Sequence, residues 1–171
     1  MNDKSRNPEK ENNGLVPFIE FFDRQGWSYQ QADDKPVILT GFNGDNGRWQ
    51  CVAVGNPKDC SLVFMSLLPC KAPASRRTAC AELLTRINYN LTHGCFEMDF
   101  EDGEIRFRTS VALGEEPPSA ETVDHLVFRN LCVVDQLIAT VTNVVYGQVS
   151  PKAALATPAA EIPATPRFEL N

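Results

Sequence analysis

Two carboxylates and two arginines alternate where the strand pattern of this chain is strongest. Glu97 and Asp99 are separated by one residue, and so are Arg106 and Arg108. Residues two apart share a face of an extended chain, so each pair projects from one side of a strand. Neighbouring carboxylates of unlike pKa are the raw material of general acid/base work. Arginines opposite them argue for structure instead, because a paired carboxylate is held ionised. His93 and Cys95 are also two apart, at a helix end and the start of a strand. That spacing does not align a thiol with a base. His125 lies on a helix flank with no serine or cysteine partner.

Other chemical signals are weaker. Gly41-Phe42-Asn43-Gly44-Asp45-Asn46-Gly47 has the glycine density of a phosphate loop. Such loops feed a helix N-terminus, whereas this one feeds a strand and carries an aspartate, so it reads as a hairpin turn. The six cysteines, Cys51, Cys60, Cys70, Cys80, Cys95 and Cys132, contain no Cys-x-x-Cys. A zinc site needs clustered ligands. The cysteines read as small core residues and, in a reducing compartment, as free thiols. No Gly-x-Ser-x-Gly elbow, His-Glu-x-x-His or Walker lysine motif occurs. No cofactor or metal is implied.

The elements that position these residues follow from periodicity. Leu15, Phe18, Ile19 and Phe22 recur at helical spacing before Gly26, giving a helix at about 15–25. Trp27-Ser28-Tyr29 is a candidate edge strand. Val37–Phe42 and Arg48–Val54 form a hairpin across residues 43–47. If Phe42 stands opposite Arg48, then Val37, Leu39, Trp49, Cys51 and Ala53 face the core. Ile38, Thr40, Phe42, Arg48, Gln50 and Val52 then face the other way. Leu62–Leu68 is almost continuously apolar, as in a central strand covered on both sides. Cys80, Leu83, Leu84, Ile87 and Leu91 mark a helix within 73–91.

Residues 94–113 carry the sharpest local pattern. Phe96, Met98 and Phe100 alternate with acids, and Ile105, Phe107, Thr109, Val111 and Leu113 alternate largely with charged residues. Asp102-Gly103 suits a two-residue turn. That register pairs Phe100 with Ile105, Asp99 with Arg106 and Glu97 with Arg108. Ser119 caps a long helix to about Tyr146, with Val123, Val127, Asn130, Val134, Leu137, Val141 and Val145 on one face. Its apolar surface is broad enough for a deep core or a dimer interface. Ser150-Pro151 can open one more helical turn. Beyond it, spaced prolines predict an unstructured tail, in which Arg167-Phe168-Glu169-Leu170 is a candidate docking element.

Length and charge set outer limits. The chain has 171 residues, enough for one domain with tails. A net charge of −6 repels phosphate backbones, so nucleic acid is not an expected partner; Arg76-Arg77 and Arg106/Arg108 are the best candidate basic patches. No apolar stretch is long enough to span a bilayer, and Met1–Asn13 lacks the apolar region of a signal peptide. The expected location is the cytoplasm, with no membrane partner.

Leu83-Leu84-Thr85-Arg86-Ile87-Asn88-Tyr89, then Gly94-Cys95-Phe96-Glu97-Met98-Asp99, then Asp102-Gly103-Glu104-Ile105-Arg106-Phe107-Arg108-Thr109 resemble the YbjN family. Leu68-Pro69, Val145-Tyr146-Gly147, Ser150-Pro151 and Ala154-Leu155 fit as well. The family is a bacterial group to which a role in sensory-transduction regulation is ascribed. The resemblance implies a fold similar to type III secretion chaperones, which are usually dimers and bind an extended segment of another protein. It implies no catalytic residue and no cofactor.

The expected fold is therefore α+β. It has a mainly antiparallel sheet of about five strands and three helices in the order α-β-β-β-α-β-β-α. Residues 14–156 form the domain, between disordered segments at 1–13 and 157–171. The expected function is a non-enzymatic, chaperone-like or regulatory module that binds a protein segment. Its partner site would be an exposed patch of Ile38, Phe42, Arg48, Gln50 and Val52. The competing readings are an enzyme of unrecognised type using Glu97, Asp99, Arg106 and Arg108, and a structural dimer built on helix 119–146.

Overall fold

A computed structural model describes residues 14–156, apart from Asp34, 57–59, Glu115 and Gln148. The segments expected to be disordered, 1–13 and 157–171, lie outside the described residues. The chain runs α1 (Val16–Gln25), β1 (Gln30–Gln31), β2 (Val37–Asn43), β3 (Arg48–Asn56) and β4 (Ser61–Lys71). After a short 3-10 turn (Ala74–Arg76) come α2 (Arg77–Asn88), β5 (Cys95–Met98), β6 (Glu104–Ala112), α3 (Ala120–Tyr146) and α4 (Pro151–Ala154). The α+β class and element order follow the sequence pattern. The candidate edge strand at Trp27–Tyr29 falls just later, as β1, and the helical turn that Ser150-Pro151 can open is α4, so the sheet has one strand more than five and the chain one short helix more than three.

The sheet has six strands in the order β1-β2-β3-β4-β6-β5. Every neighbouring pair is antiparallel. All the longer helices pack on one face. The long helix α3 lies across β4 and β6, with α1 and α2 against its flanks. Fourteen of its residues are buried, including Val127, Leu131, Val134 and Val141. Its broad apolar surface is thus accounted for inside one protomer. Ser119 caps α3, its hydroxyl accepting from the Thr122 amide. At the far end the Arg76 guanidinium donates to the Val144 carbonyl at 2.9 and 2.6 Å and to the Val149 carbonyl at 3.1 Å. It satisfies acceptors that a helix C-terminus leaves open.

One buried polar side chain of α3 fixes its position on the sheet. Asn130 is fully buried, and its amide nitrogen donates to the carbonyls of Phe64 on β4 and Phe107 on β6, each at 3.1 Å. The same nitrogen lies 3.2 Å from the Thr109 hydroxyl, which donates onward to the Leu126 carbonyl at 2.9 Å. The Asn130 oxygen accepts from Ser66 Oγ at 2.6 Å, and that hydroxyl accepts from the Trp49 indole nitrogen at 2.9 Å. The chain of bonds joins β3, β4, β6 and α3. In so dry a site each bond is strengthened, and each missing partner is costly.

The first hairpin departs from expectation. Its register pairs Phe42 with Trp49 and Asn43 with Arg48, one residue away from the expected Phe42–Arg48 pairing. A one-residue shift sends every side chain of β2 to the opposite face. Ile38 and Phe42 therefore lie in the core with Trp49, Cys51 and Ala53, while Leu39 is 46 % exposed. The cause is a tighter loop, closed by the Gly44 amide on the Gly47 carbonyl at 2.8 Å. Asp135 of α3 holds that loop, accepting from the Asn46 amide at 2.9 Å. A Cβ on Gly44 would fall 2.1 Å from the Asp135 carboxylate, so the glycine permits close approach to the helix.

The second hairpin keeps its faces but shifts by two residues, with Met98 opposite Ile105 and Phe96 opposite Phe107. In place of a two-residue turn, the Asp99 amide bonds the Glu104 carbonyl across a four-residue loop with Gly103 at φ 79°. Phe100 leaves the core and is 57 % exposed. The expected Asp99–Arg106 pair is not formed; the Asp99 carboxylate accepts from the Glu101 amide instead. Gly103 also docks just past the end of β4. Its carbonyl accepts from the Ala72 amide, and a Cβ there would meet the Ala72 carbonyl oxygen at 2.0 Å.

Three substitutions test this architecture. Asn130→Ala strands the Ser66 hydroxyl and two sheet carbonyls, and should lower unfolding free energy by about 3 kcal/mol in urea titration. Phe42→Asp should abolish cooperative unfolding, whereas Leu39→Asp should keep a melting temperature close to wild type. The opposite ranking would restore the other register.

Candidate interface on the uncovered sheet face

The face of the sheet away from the helices is read from the strand registers. One row crosses Leu39, Val52, Met65 and Arg108 to Cys95. The row on one side holds Val37, Val54, Val63 and Ser110. The row on the other holds Gly41, Gln50, Leu67, Arg106 and Glu97. The centre of the face is thus seven apolar side chains on β2, β3 and β4, with charged residues along β6 and β5. Val63, Met65 and Leu67 are half-buried, whereas Leu62, Phe64, Ser66 and Leu68 of the same strand are buried. Among the described residues the helices cover one side of β4 only, not both sides as expected.

At the β5–β6 edge the Glu97 carboxylate is shared by two guanidiniums, accepting from Arg106 Nε at 2.8 Å and Arg108 Nε at 2.7 Å. Partial burial works against its ionisation, but hydrogen bonds from Arg108 and then Arg106 outweigh it and hold the carboxyl below its ordinary range. Glu97, Met98, Asp99, Glu104 and Arg106 line an open recess of about 220 Å³. Cys95 lies beside this cluster, with its sulfur 3.8 Å from both Arg108 Nη2 and Glu97 Oε1. Burial raises its thiol pKa more than Arg108 lowers it, so the group is a poor nucleophile. Burial likewise pushes Cys51 up to about 12. No group of His, Cys, Asp and Glu suited to a metal ion occurs among the described residues.

Of the expected partner-site residues, Arg48, Gln50 and Val52 stand on the uncovered face. Ile38 and Phe42 do not, since both are packed in the core. Val37, Leu39, Val54, Val63, Met65 and Leu67 were missed. Their signal was the nearly continuous apolar run of β4 combined with too few helices to cover two faces. The candidate basic patches are also engaged within the fold. Arg76 caps α3, Arg77 donates to the carbonyls of Ala72 and Phe100, and Arg106 and Arg108 hold Glu97.

The chain matches YbjN, described as a "putative bacterial sensory transduction regulator", over residues 18–142. The chain belongs to the YbjN family. A solved YbjN-family relative shares its fold: the crystal structure of YbjN from E. coli, titled a "putative transcription regulator", matches with a TM-score of 0.56 at 15 % identity. The match covers 73 % of this chain and 88 % of that one. No curated protein matches the sequence. The YbjN description is regulatory rather than enzymatic. No helix among the described residues is long and apolar enough to cross a membrane.

The Glu97 arrangement makes a pH prediction. A carboxyl whose folded pKa is depressed contributes stability above its unfolded pKa and loses it as pH falls through the folded value. The melting temperature of wild type should exceed that of Glu97→Gln at neutral pH. The gap should close below the ordinary carboxylate range, in a thermal-melt series. Partial exposure limits the contribution to about 1 kcal/mol.

Proposed function

We propose that this protein is a non-enzymatic regulatory module that binds a segment of another protein on the uncovered sheet face. The run from Leu62 to Leu68 carries the reading. It has the composition of a strand meant to be covered twice, yet the described elements cover it once. Val52 and Val54 on β3 and Val37 and Leu39 on β2 extend the apolar surface sideways. A contiguous apolar area on a sheet marks a partner site rather than chance exposure. Arg48, Gln50, Arg106 and Arg108 supply the polar rim that interfaces commonly have. The regulatory description of the YbjN family supports the same reading.

An enzyme built on Glu97, Asp99, Arg106 and Arg108 has less support. Glu97 is fixed between two cations, and Asp99 is turned to its own loop amide. Neither is placed to exchange a proton with a substrate.

The test is Leu39→Asp/Met65→Asp. Both side chains are on the uncovered face, so the fold should persist by circular dichroism. Proteins retained from the native host by immobilised wild type should then be lost. Unchanged retention by the folded variant rejects the site.

A further inference from the structure

We propose that the C-terminal segment Arg167–Leu170 of this same chain occupies the uncovered sheet face and competes with the external partner. This rests on reading that face as a docking site. The last described residues place the departure point of the tail. Leu155 and Ala156 line a groove with Thr85, Arg86, Tyr89 and Asn90, at the C-terminal end of α2. That end is fastened to the edge strand. The Asn88 side chain accepts from the Phe96 amide at 2.8 Å and donates to the Phe96 carbonyl at 3.0 Å. The last described residues therefore lie at the end of α2 that Asn88 joins to β5, and Cys95 and Glu97 of that strand begin the uncovered face.

Length and pattern then fit. Residues 157–167 span up to about 36 Å when extended. Rounding the sheet edge takes about 10 Å, and crossing from β5 to β4 takes about 10 Å more. Pro158, Pro163 and Pro166 bias the intervening backbone towards extended conformations. Phe168 and Leu170 alternate with Arg167 and Glu169, which gives an extended segment one apolar side. Side chains two apart on such a segment repeat at about 6.7 Å, the spacing of Val63, Met65 and Leu67 beneath them. Tethering supplies an effective concentration on the order of millimolar, so weak contacts suffice and an external segment can still displace the tail.

The experiment reads methionine methyl groups by NMR in the full chain. Met1, Met65 and Met98 are the three methionines, and of the two described ones Met65 stands within the apolar strip. The Met65 signal of wild type should be displaced from its position in Phe168→Asp/Leu170→Asp, while Met98, on the helix side, stays. The displacement should survive dilution, and a peptide of residues 161–171 added to the variant should reproduce it. Identical Met65 signals in the two chains overturn the proposal. A displacement lost on dilution also overturns it and assigns the face to a second copy. Loss of host proteins by Leu39→Asp/Met65→Asp together with an unmoved Met65 signal removes the tail alone and keeps the docking site.

Discussion

The amide of Asn130 is the contact on which the rest of the architecture depends. It is a polar group on the buried side of a long helix, and it must find partners or cost free energy. It finds them in β4, β6 and Ser66, and through Ser66 reaches Trp49 on β3. Apolar packing is non-directional, whereas these hydrogen bonds join fixed donors to fixed acceptors. The amide admits one position. Once α3 is set, Asp135 sits under the first hairpin loop and holds Asn46. That contact favours the tight loop, and the tight loop decides which side chains of β2 are buried.

The sequence and the structure agree where a pattern is local and long. The helical stripe Val123 to Val145 and the alternation of 94–113 needed no tertiary information to be read. They part where one residue of loop length is decisive. From spacing alone Phe42 can oppose Arg48 or Trp49, and each choice gives a plausible alternation on β2. The deciding facts are remote: the Asp135 carboxylate and the close approach of Gly44 to α3. A weak local hint existed, since two aromatic rings make a better cross-strand pair than Phe and Arg, and the rings of Phe42 and Trp49 do stand 5.0 Å apart. The second hairpin shows the milder form of the same error. A two-residue shift keeps both faces intact, so Phe96 and Phe107 are buried as expected and only Phe100 is displaced. The charge pattern was read correctly in kind, though one carboxylate takes both arginines.

The uncovered face was half legible for the same reason. β3 was assigned to the correct side, so Arg48, Gln50 and Val52 kept their place, whereas Ile38 and Phe42 were carried inward with the shift of β2. The apolar run of β4 was seen but explained as two-sided burial. Three-dimensional counting corrects it: α1, α2 and α3 share one side, and nothing described covers the other. What remains is a sheet whose inner face is finished by helices and whose outer face keeps the composition of an interior, rimmed by ions.

The position of β6 has a consequence for how the chain is made. β4 pairs with β3 across a short connection, but its other neighbour is β6, with Phe64 opposite Thr109. A strand, a helix and a turn separate the two in the chain. During synthesis β4 is therefore complete long before its second edge is closed, with apolar side chains on both faces and unpaired backbone along one side. Such a non-local pairing slows folding and leaves an adhesive intermediate. The anchor for α3 is also assembled last, because the carbonyl of Phe107 and the hydroxyl of Thr109 do not exist until β6 does. A fragment ending before β6 leaves β4 with an open edge and the anchor for α3 unmade.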